Sequence, residues 1–158
     1  MSFININLIC VGKIKEKYIL QGMDEYQKRM KAYANFKIIE LKEEGNDRNT
    51  KLSIEKEAVR IKEMLEKNKG YNILLEIQGK SFGSKEMSKE IQDLMLQGNS
   101  TINFIIGGSY GVSEDIKKSS DLKLTFSKLT FPHQLMRLIL LEQIYRWFNI
   151  LNNGKYHK

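Results

Sequence analysis

The sequence predicts a single α/β domain built on a mostly parallel sheet that helices flank on both faces. Short apolar runs alternate along the chain with longer segments of helical periodicity, which is the order typical of strand–helix–strand units. No repeat, linker or low-complexity segment divides the 158 residues. A chain of this length can bury a core without a metal or a disulfide, so we expect one domain over residues 1–158.

Five apolar runs have the composition of strands. The first, Phe3 to Val11, alternates and then becomes continuously apolar, and Gly12 ends it. The other four are Phe36 to Leu41, Tyr71 to Ile77, Thr101 to Ile106 and Leu122 to Phe126. A turn at Gln78 to Lys80 is expected to follow the third strand.

Five segments with apolar residues at helical spacing accompany these strands. They are Lys15 to Tyr33, a helix capped by Ser53 that stops near Gly70, Ser84 to Gly98, a short helix from about Ser113, and Pro132 to Leu151. The last one is apolar nearly all round at Leu138 to Leu141, so we expect it to be buried on several sides, in the domain or against another subunit. The polar stretch Lys42 to Lys51 is interpreted as a surface loop.

The net charge of +7 is concentrated near the C-terminus. Residues 123–158 contain six Lys and Arg residues against Glu142 alone. A basic region of this kind favours a polyanionic partner such as RNA. A lysine-rich surface that keeps the protein soluble is the alternative explanation.

Several classes of protein fit the composition poorly. The single cysteine, Cys10, lies in an apolar run, which indicates a packed core thiol and a cytoplasmic protein. Two histidines far apart in sequence argue against a metal site. No apolar run approaches the length of a membrane span, and the N-terminus lacks the basic start of a signal peptide, so we expect no membrane association.

The stretch LTFSKLTFPHQLMR, Leu124 to Arg137, holds the strongest candidate for a site. Its proline, the only one in the chain, fixes its own φ and keeps Phe131 extended, so the helix cannot begin before Pro132. Phe126 to Phe131 is therefore a loop that leads into a helix N-terminus. Backbone N–H groups and the positive end of the helix dipole favour polar or anionic ligand groups there.

Two other strand ends are expected beside this loop, because ligands of open α/β sheets bind beyond the carboxyl ends of the strands. They are Leu75 to Gly79 and Ile106 to Ser109. Familiar motifs fit poorly: IGGSYG is not GxGxxG, and Ser109 and Ser127 do not lie in GxSxG. His133, in the first turn of a helix, is more typical of a structural residue than of a catalytic one.

The C-terminal tail, Asn152 to Lys158, joins cations, an aromatic ring and an imidazole after a flexible glycine. That combination suits contact with a nucleotide, whereas an ordinary ragged terminus is the simpler alternative.

These strand ends, the FSKLTFPHQLMR stretch and the closing YHK resemble the ribosomal large subunit pseudouridine methyltransferase H family, minimal members of the SPOUT class. The similarity runs from LICVGKIKEKY through LLEIQGK and FIIGGSYG to the tail. The resemblance implies an α/β methyltransferase with a C-terminal trefoil knot that works as a homodimer. The tyrosine in GGSYG and the short polar loop near Gly45 depart from the family pattern, outside the presumed pocket.

The resemblance also implies a cofactor and a reaction. S-adenosylmethionine would lie between the knot loops, and its methyl group would pass to N3 of a pseudouridine in 23S ribosomal RNA, on the assembled ribosome. The residues at the matching cofactor positions are Leu75, Gly107, Phe126, Ser127, Lys128, Leu129, Thr130 and Phe131.

The catalytic candidates lie in the tail. We hypothesise that His157 or Tyr156, from the partner subunit, positions the base, with Lys155, Lys158 and Arg137 near phosphates or the uracil oxygens. Three alternatives stay open: a SPOUT enzyme acting on tRNA or on a ribose hydroxyl, a noncatalytic RNA-binding ribosome factor, and a nucleotide-dependent oxidoreductase.

Overall fold

A computed structural model describes residues 3–45 and 48–158 of the chain, so Asn46 and Asp47, in the polar loop assigned from the sequence, lie outside it. Within the described residues, five strands form one sheet in the order β2-β1-β4-β3-β5, and every neighbouring pair is parallel. The strands are β1 (Ile4–Val11), β2 (Ala34–Leu41), β3 (Tyr71–Ser81), β4 (Thr101–Ile106) and β5 (Leu122–Thr125). The predicted parallel α/β architecture is confirmed.

Five helices of the described chain cover both faces of this sheet. They are α1 (Lys17–Met30), α2 (Thr50–Lys67), α3 (Ser84–Leu96), α4 (Glu114–Ser119) and α5 (His133–Leu151). On one face α5 packs between α1 and α3 over the larger core, which includes Phe104 and Trp147. On the other face α2 and α4 cover a smaller core around Ile61 and Ile105. Successive strand residues face opposite sides, which explains why the apolar runs are continuous.

The long helix α5 confirms the prediction of burial on several sides. None of its residues from His133 to Leu151 is exposed, and Leu140, Leu141 and Ile144 are completely buried. It begins one residue after Pro132, as the proline requires. Of the residues that the structure describes, no helix is both long and apolar enough to span a bilayer.

Two local predictions were wrong. The N-cap of α2 is Asn49, whose side chain accepts a hydrogen bond from the Leu52 N–H at 3.0 Å, whereas Ser53 is buried inside the helix. Residues 78–80 form no turn, because β3 continues to Ser81 and bulges: Leu75 and Lys80 both pair with Leu124. A Cβ at Gly79 would lie 2.7 Å from the Lys123 backbone, so this close approach requires glycine.

Cys10 is a packed core residue, as the sequence predicts. Its side chain is completely buried in β1, and burial raises the pKa of the thiol to about 12. The thiol therefore stays protonated at neutral pH and is a poor nucleophile.

Candidate functional site

The three strand ends singled out in the sequence meet in one cavity of about 390 Å³ at the carboxyl edge of the sheet. One wall comes from Leu75 to Ile77 of the bulged β3, and a second from the turn that follows β4. The third wall is the loop between β5 and α5 together with the first turn of α5. The predicted convergence of these segments is confirmed, because parallel strands present their carboxyl ends at one edge.

Seven of the eight residues at the expected cofactor positions line this cavity. They are Leu75, Gly107, Phe126, Ser127, Leu129, Thr130 and Phe131. Lys128 belongs to the same loop but is exposed and does not line the cavity. Thr125 and Met136 of the candidate stretch also line the cavity, although they were not among the expected cofactor positions, and Val112 was not singled out from the sequence.

The loop before α5 is held in shape by its own hydroxyl groups. Thr125 Oγ1 donates to the Ser127 carbonyl at 2.9 Å, and the Leu129 N–H donates to Ser127 Oγ at 3.0 Å. Phe126 contacts Trp147 edge to face, with ring centroids 6.4 Å apart, which anchors the start of the loop to α5. The loop thus presents a fixed row of backbone groups and apolar side chains to the cavity.

The glycine turn after β4 brings bare backbone to the cavity. A Cβ at Gly107 would lie 2.5 Å from Val112 Cγ1, so a larger residue would displace the cavity wall. Gly111 has a φ of 92°, a conformation that glycine adopts readily, and its N–H closes the turn on the Gly108 carbonyl at 3.0 Å. This turn therefore presents backbone without side chains at Gly107 and Gly108 to the cavity.

A carboxylate that no sequence pattern indicates, Glu43, holds the same turn. Glu43 Oε1 accepts hydrogen bonds from Ser109 Oγ at 2.7 Å and from the Ser109 N–H at 3.3 Å. Partial burial opposes ionisation, but the Ser109 hydrogen bonds, aided by the charges of His133 and Arg137, lower the pKa of Glu43. The partners are 66 residues apart, so no local pattern reveals them.

A second carboxyl group lies beneath the turn. Glu57 is buried, with 2% of its surface exposed, and its Oε2 accepts a hydrogen bond from the Glu44 N–H at 3.0 Å. Within the described residues its Oε1 has no partner, and it would contact a Cβ at Gly108. Burial, reinforced by the charge of Glu43, raises the pKa of Glu57 despite the Glu44 hydrogen bond.

Arg137 is an interior residue of the subunit. Its side chain is completely buried, and it donates to Glu40 Oε2 at 2.9 Å and to the carbonyls of Val11 and Gly12 at 2.9 and 2.7 Å. Within one subunit Arg137 therefore presents no exposed surface to RNA, and its predicted place near phosphates or the uracil oxygens stays a prediction. Its hydrogen bonds join α5 to the end of β1, because Val11 is the last residue of that strand and Gly12 follows it.

The C-terminal tail is docked rather than flexible. The Tyr156 hydroxyl donates to Glu142 Oε1 and bonds the Tyr26 hydroxyl, each at 3.0 Å, and the Tyr156 N–H donates to Asn149. Arg146 stacks on the Tyr156 ring, 4.7 Å from its centroid. The sequence predicted a tail made flexible by Gly154, but these contacts fix the tail on the middle and end of α5.

The other tail residues lie on the same surface. The Arg146 guanidinium contacts His157 Nδ1 at 3.0 Å, whereas Lys155 and Lys158 are exposed. Within one subunit, neither Tyr156 nor His157 is among the residues that line the cavity.

The cavity itself is suited to binding more than to proton transfer. Glu76 and His133 are the only acidic and imidazole side chains among its described lining residues, and neither forms a nucleophile–base pair with a lining serine. Elsewhere in the described chain no group of His, Cys, Asp and Glu residues could hold a metal ion. The volume of the cavity, about 390 Å³, falls in the range of small-molecule and cofactor sites.

Comparisons with known proteins agree with this architecture. A family model described as predicted SPOUT methyltransferase matches residues 4–157. The chain is 58% identical to ribosomal RNA large subunit methyltransferase H of Fusobacterium nucleatum subsp. nucleatum and 46% identical to the protein of the same name from Clostridioides difficile, with 98% of this chain and 99% of each relative covered.

A solved structure from Haemophilus influenzae Rd KW20, described as a probable methylase family protein, shares the fold. Its TM-score is 0.58 at 10% identity, over 97% of this chain and 70% of that chain. The family match and the full-length similarity to named relatives together identify the protein at the level of its family. The chain belongs to the SPOUT methyltransferases and, among them, to the ribosomal RNA large subunit methyltransferase H family.

Proposed function

We propose that the protein is an S-adenosylmethionine-dependent ribosomal RNA methyltransferase that methylates N3 of a pseudouridine in 23S RNA, in the cytoplasm and on the assembled ribosome. The single observation that supports this most is the cavity formed by the three strand ends. The names of the full-length relatives support ribosomal RNA as the substrate class. The choice of N3 as the methylated atom and of a pseudouridine as the methylated nucleotide follows from the family resemblance alone.

The residues of the cavity fit the proposed cofactor. Backbone N–H and carbonyl groups of the loop at 126–131 can bond an adenine edge and ribose hydroxyls, while Leu75 and Phe126 offer apolar surface to the ring. Glycine at position 107 keeps Val112 in its place in the cavity wall, because a Cβ there would overlap the valine side chain. When bound, S-adenosylmethionine supplies an activated methyl group on a sulfonium. The Glu76 carboxylate, which borders the cavity, favours that positive charge.

The tail completes the site only if a second subunit supplies it. Within one subunit Tyr156 and His157 are fixed along α5 and do not line the cavity. We therefore propose a homodimer in which the tail of one subunit lies at the cavity of the other. The C-terminal trefoil knot belongs to the same proposal, and the position of α5 between α1 and α3, directly after the edge strand β5, is compatible with it.

The protein's tasks in this reaction are orientation and the removal of one proton. Burial, together with hydrogen bonds to Tyr26 and Glu142, raises the pKa of Tyr156 far above its ordinary value, so its phenol stays neutral. Its one O–H donates to Glu142, so it can donate to a uracil oxygen only by exchanging that acceptor. His157 remains the candidate that holds the N3 proton or orients the base. The exposed cations Lys155 and Lys158 favour phosphates and the anion that forms when N3 loses its proton.

The decisive experiment supplies the protein with radiolabelled S-adenosylmethionine and unmodified ribosomes, separate subunits, naked ribosomal RNA or tRNA. We expect label in 23S RNA from ribosomes, and mass mapping should locate it on N3 of a pseudouridine. Label on tRNA or on a ribose hydroxyl would identify a different SPOUT activity. Absence of S-adenosylmethionine binding in a calorimetric titration would leave a noncatalytic RNA-binding factor, and stabilisation by NAD instead would indicate an oxidoreductase.

A further inference from the structure

A second concave surface lies at the opposite edge of the sheet from the cavity. It is a groove of about 730 Å³ between the amino ends of β1 and β2, the start of β4 and the ends of α1 and α2. We call it the amino-edge groove. The length of β1 separates it from the candidate cofactor site by about 25 Å, since a strand rises about 3.3 Å per residue.

The charges of the amino-edge groove all have one sign. Lys31, Lys37, Lys67 and Lys69 line it, all four are exposed, and no described lining residue is acidic. None of the four has an ion-pair partner among the described residues, in contrast to Lys62, which contacts Asp115 at 3.1 Å. Four unpaired cations around a concavity attract a polyanion.

One exposed aromatic ring and two side-chain amides accompany these lysines. Phe3 is 50% exposed at the rim, whereas the ring of Phe36, which also borders the groove, packs against the larger core. Asn35 Nδ2 donates to Asn5 Oδ1 at 3.2 Å. The side-chain NH₂ of Asn5 and the side-chain oxygen of Asn35 have no partner in the part of the chain that the structure describes. They offer a ligand one donor and one acceptor.

A buried amide network makes the floor of the groove rigid. Asn7 Nδ2 donates to Asn103 Oδ1 at 2.9 Å, and Asn103 Nδ2 donates to the Asn68 carbonyl at 2.6 Å and to Asn72 Oδ1 at 2.9 Å. Asn7 and Asn103 are buried, and the network joins β1, β3, β4 and the end of α2. The lysines and Phe3 therefore surround a rigid floor.

We infer that the amino-edge groove binds an unpaired segment of RNA, as a contact separate from the site of methyl transfer. Lysines meet phosphates, a phenylalanine stacks on a base, and the Asn5–Asn35 pair meets base edges. A second copy of the chain fits poorly, because a two-fold interface would bring the same lysines together. The inference rests on the proposed function, since ribosomal RNA is the polyanion that the enzyme would encounter.

The test compares the wild type with Lys37→Gln/Lys69→Gln, which removes two charges, and with Phe3→Ala. Lys85→Gln/Lys89→Gln, on the exposed face of α3, is the matched control. Fluorescence anisotropy with a labelled oligouridylate measures RNA affinity at several salt concentrations, and calorimetry measures the affinity for S-adenosylmethionine. Methyl transfer to ribosomes gives kcat and KM.

We expect the lysine variant to bind the oligouridylate at least tenfold more weakly, with a salt slope shallower by about 1.4, because each single-strand phosphate contact contributes about 0.7. Phe3→Ala should bind about tenfold more weakly with the slope unchanged. KM for ribosomes should rise while kcat and the affinity for S-adenosylmethionine stay the same. The control variant should match the wild type throughout.

Wild-type RNA affinity in both groove variants would overturn the inference and leave the proposed function intact. A change of sedimentation from dimer to monomer in the lysine variant would identify the groove as a subunit interface and also overturn it. If the wild type transfers no methyl group to any RNA, the proposed function fails, while the anisotropy series still decides whether the groove binds RNA.

Discussion

At the scale of single residues, side chains outside the cavity determine the shape of the site. Arg137 joins the first turns of α5 to the end of β1, and Glu43 holds the glycine turn through Ser109. Neither role was predictable, because the bonds from Arg137 to Glu40 and from Glu43 to Ser109 span 97 and 66 residues. By contrast, the start of α5 was predictable, since Pro132 imposes it locally.

We predict that Arg137→Met destabilises the protein by about 2 to 4 kcal/mol, because it leaves buried carbonyls without donors and removes the buried arginine of an ion pair with Glu40. Chemical denaturation measures this change. Lys62→Met, which removes an exposed ion pair with Asp115, is the control and should cost less than about 1 kcal/mol. Equal effects of the two substitutions would contradict the structural role of Arg137.

Glu57 gives a prediction with a defined dependence on pH. Its folded-state pKa is raised, so the folded protein holds this proton more tightly than the unfolded chain, and stability falls as the pH rises through and above the unfolded value. Glu57→Gln removes that loss and should stabilise the protein by on the order of 1 kcal/mol at pH 7. At a pH below the pKa of Glu57 in the unfolded chain, the stabilisation by Glu57→Gln should vanish. A free-energy difference that does not change between acidic and neutral pH would contradict this account.

At the scale of elements, the glycine turn and the tail are the parts on which the proposed chemistry depends. The sequence predicted that the three strand ends meet, because parallel strands share one edge. The sequence predicted a flexible tail. Its docking was not predictable, because the partners of Tyr156 lie on α1 and α5. The β3 bulge was also unpredictable, since it depends on the close approach of Lys123 to Gly79.

For the glycine turn, we predict that Gly107→Ala weakens S-adenosylmethionine binding about tenfold, because the added methyl overlaps Val112 in the cavity wall. Calorimetric titration measures the loss. Gly83→Ala is the control, since its Cβ would meet only the end of the Glu86 side chain, 3.1 Å away. Unchanged affinity in Gly107→Ala would remove the turn from the binding site.

For the tail, we expect truncation after Gly154 to abolish methyl transfer while the affinity for S-adenosylmethionine stays unchanged. Gly154→Ala should reduce transfer at least tenfold in the full-length chain, because its Cβ overlaps the Asn149 amide that accepts from Tyr156. Labelled transfer assays and calorimetry give the two quantities. Full activity in the truncated chain would exclude Tyr156 and His157 from the mechanism.

At the scale of the whole molecule, the fold class and strand assignment followed from the alternation of apolar runs and amphipathic helices. The location of the unpaired positive charge did not follow from the sequence. Two of the six cations near the C-terminus, Arg137 and Arg146, form ion pairs with Glu40 and Glu142. Four exposed lysines instead surround the amino-edge groove. In the proposed dimer, the tail of one subunit, which is docked along α5, lies at the cavity of the other subunit.

Complementation tests this arrangement of subunits. Coexpressed subunits carrying Gly107→Ala and the truncation after Gly154 can form a heterodimer with one intact cavity facing one intact tail. At a low S-adenosylmethionine concentration we predict that the mixture regains activity that neither variant has alone. Failure to regain activity, with heterodimers verified by mass spectrometry, would show that tail and cavity act within one subunit.

The most direct measurement is the crystal structure of the protein grown with S-adenosylmethionine. We predict density for the adenosyl group against the backbone at residues 126–131, with Gly107 and Leu75 on its other sides and the methyl group directed toward the tail of the second subunit. Density for the methyl donor at any other surface, with this cavity empty, would contradict the account.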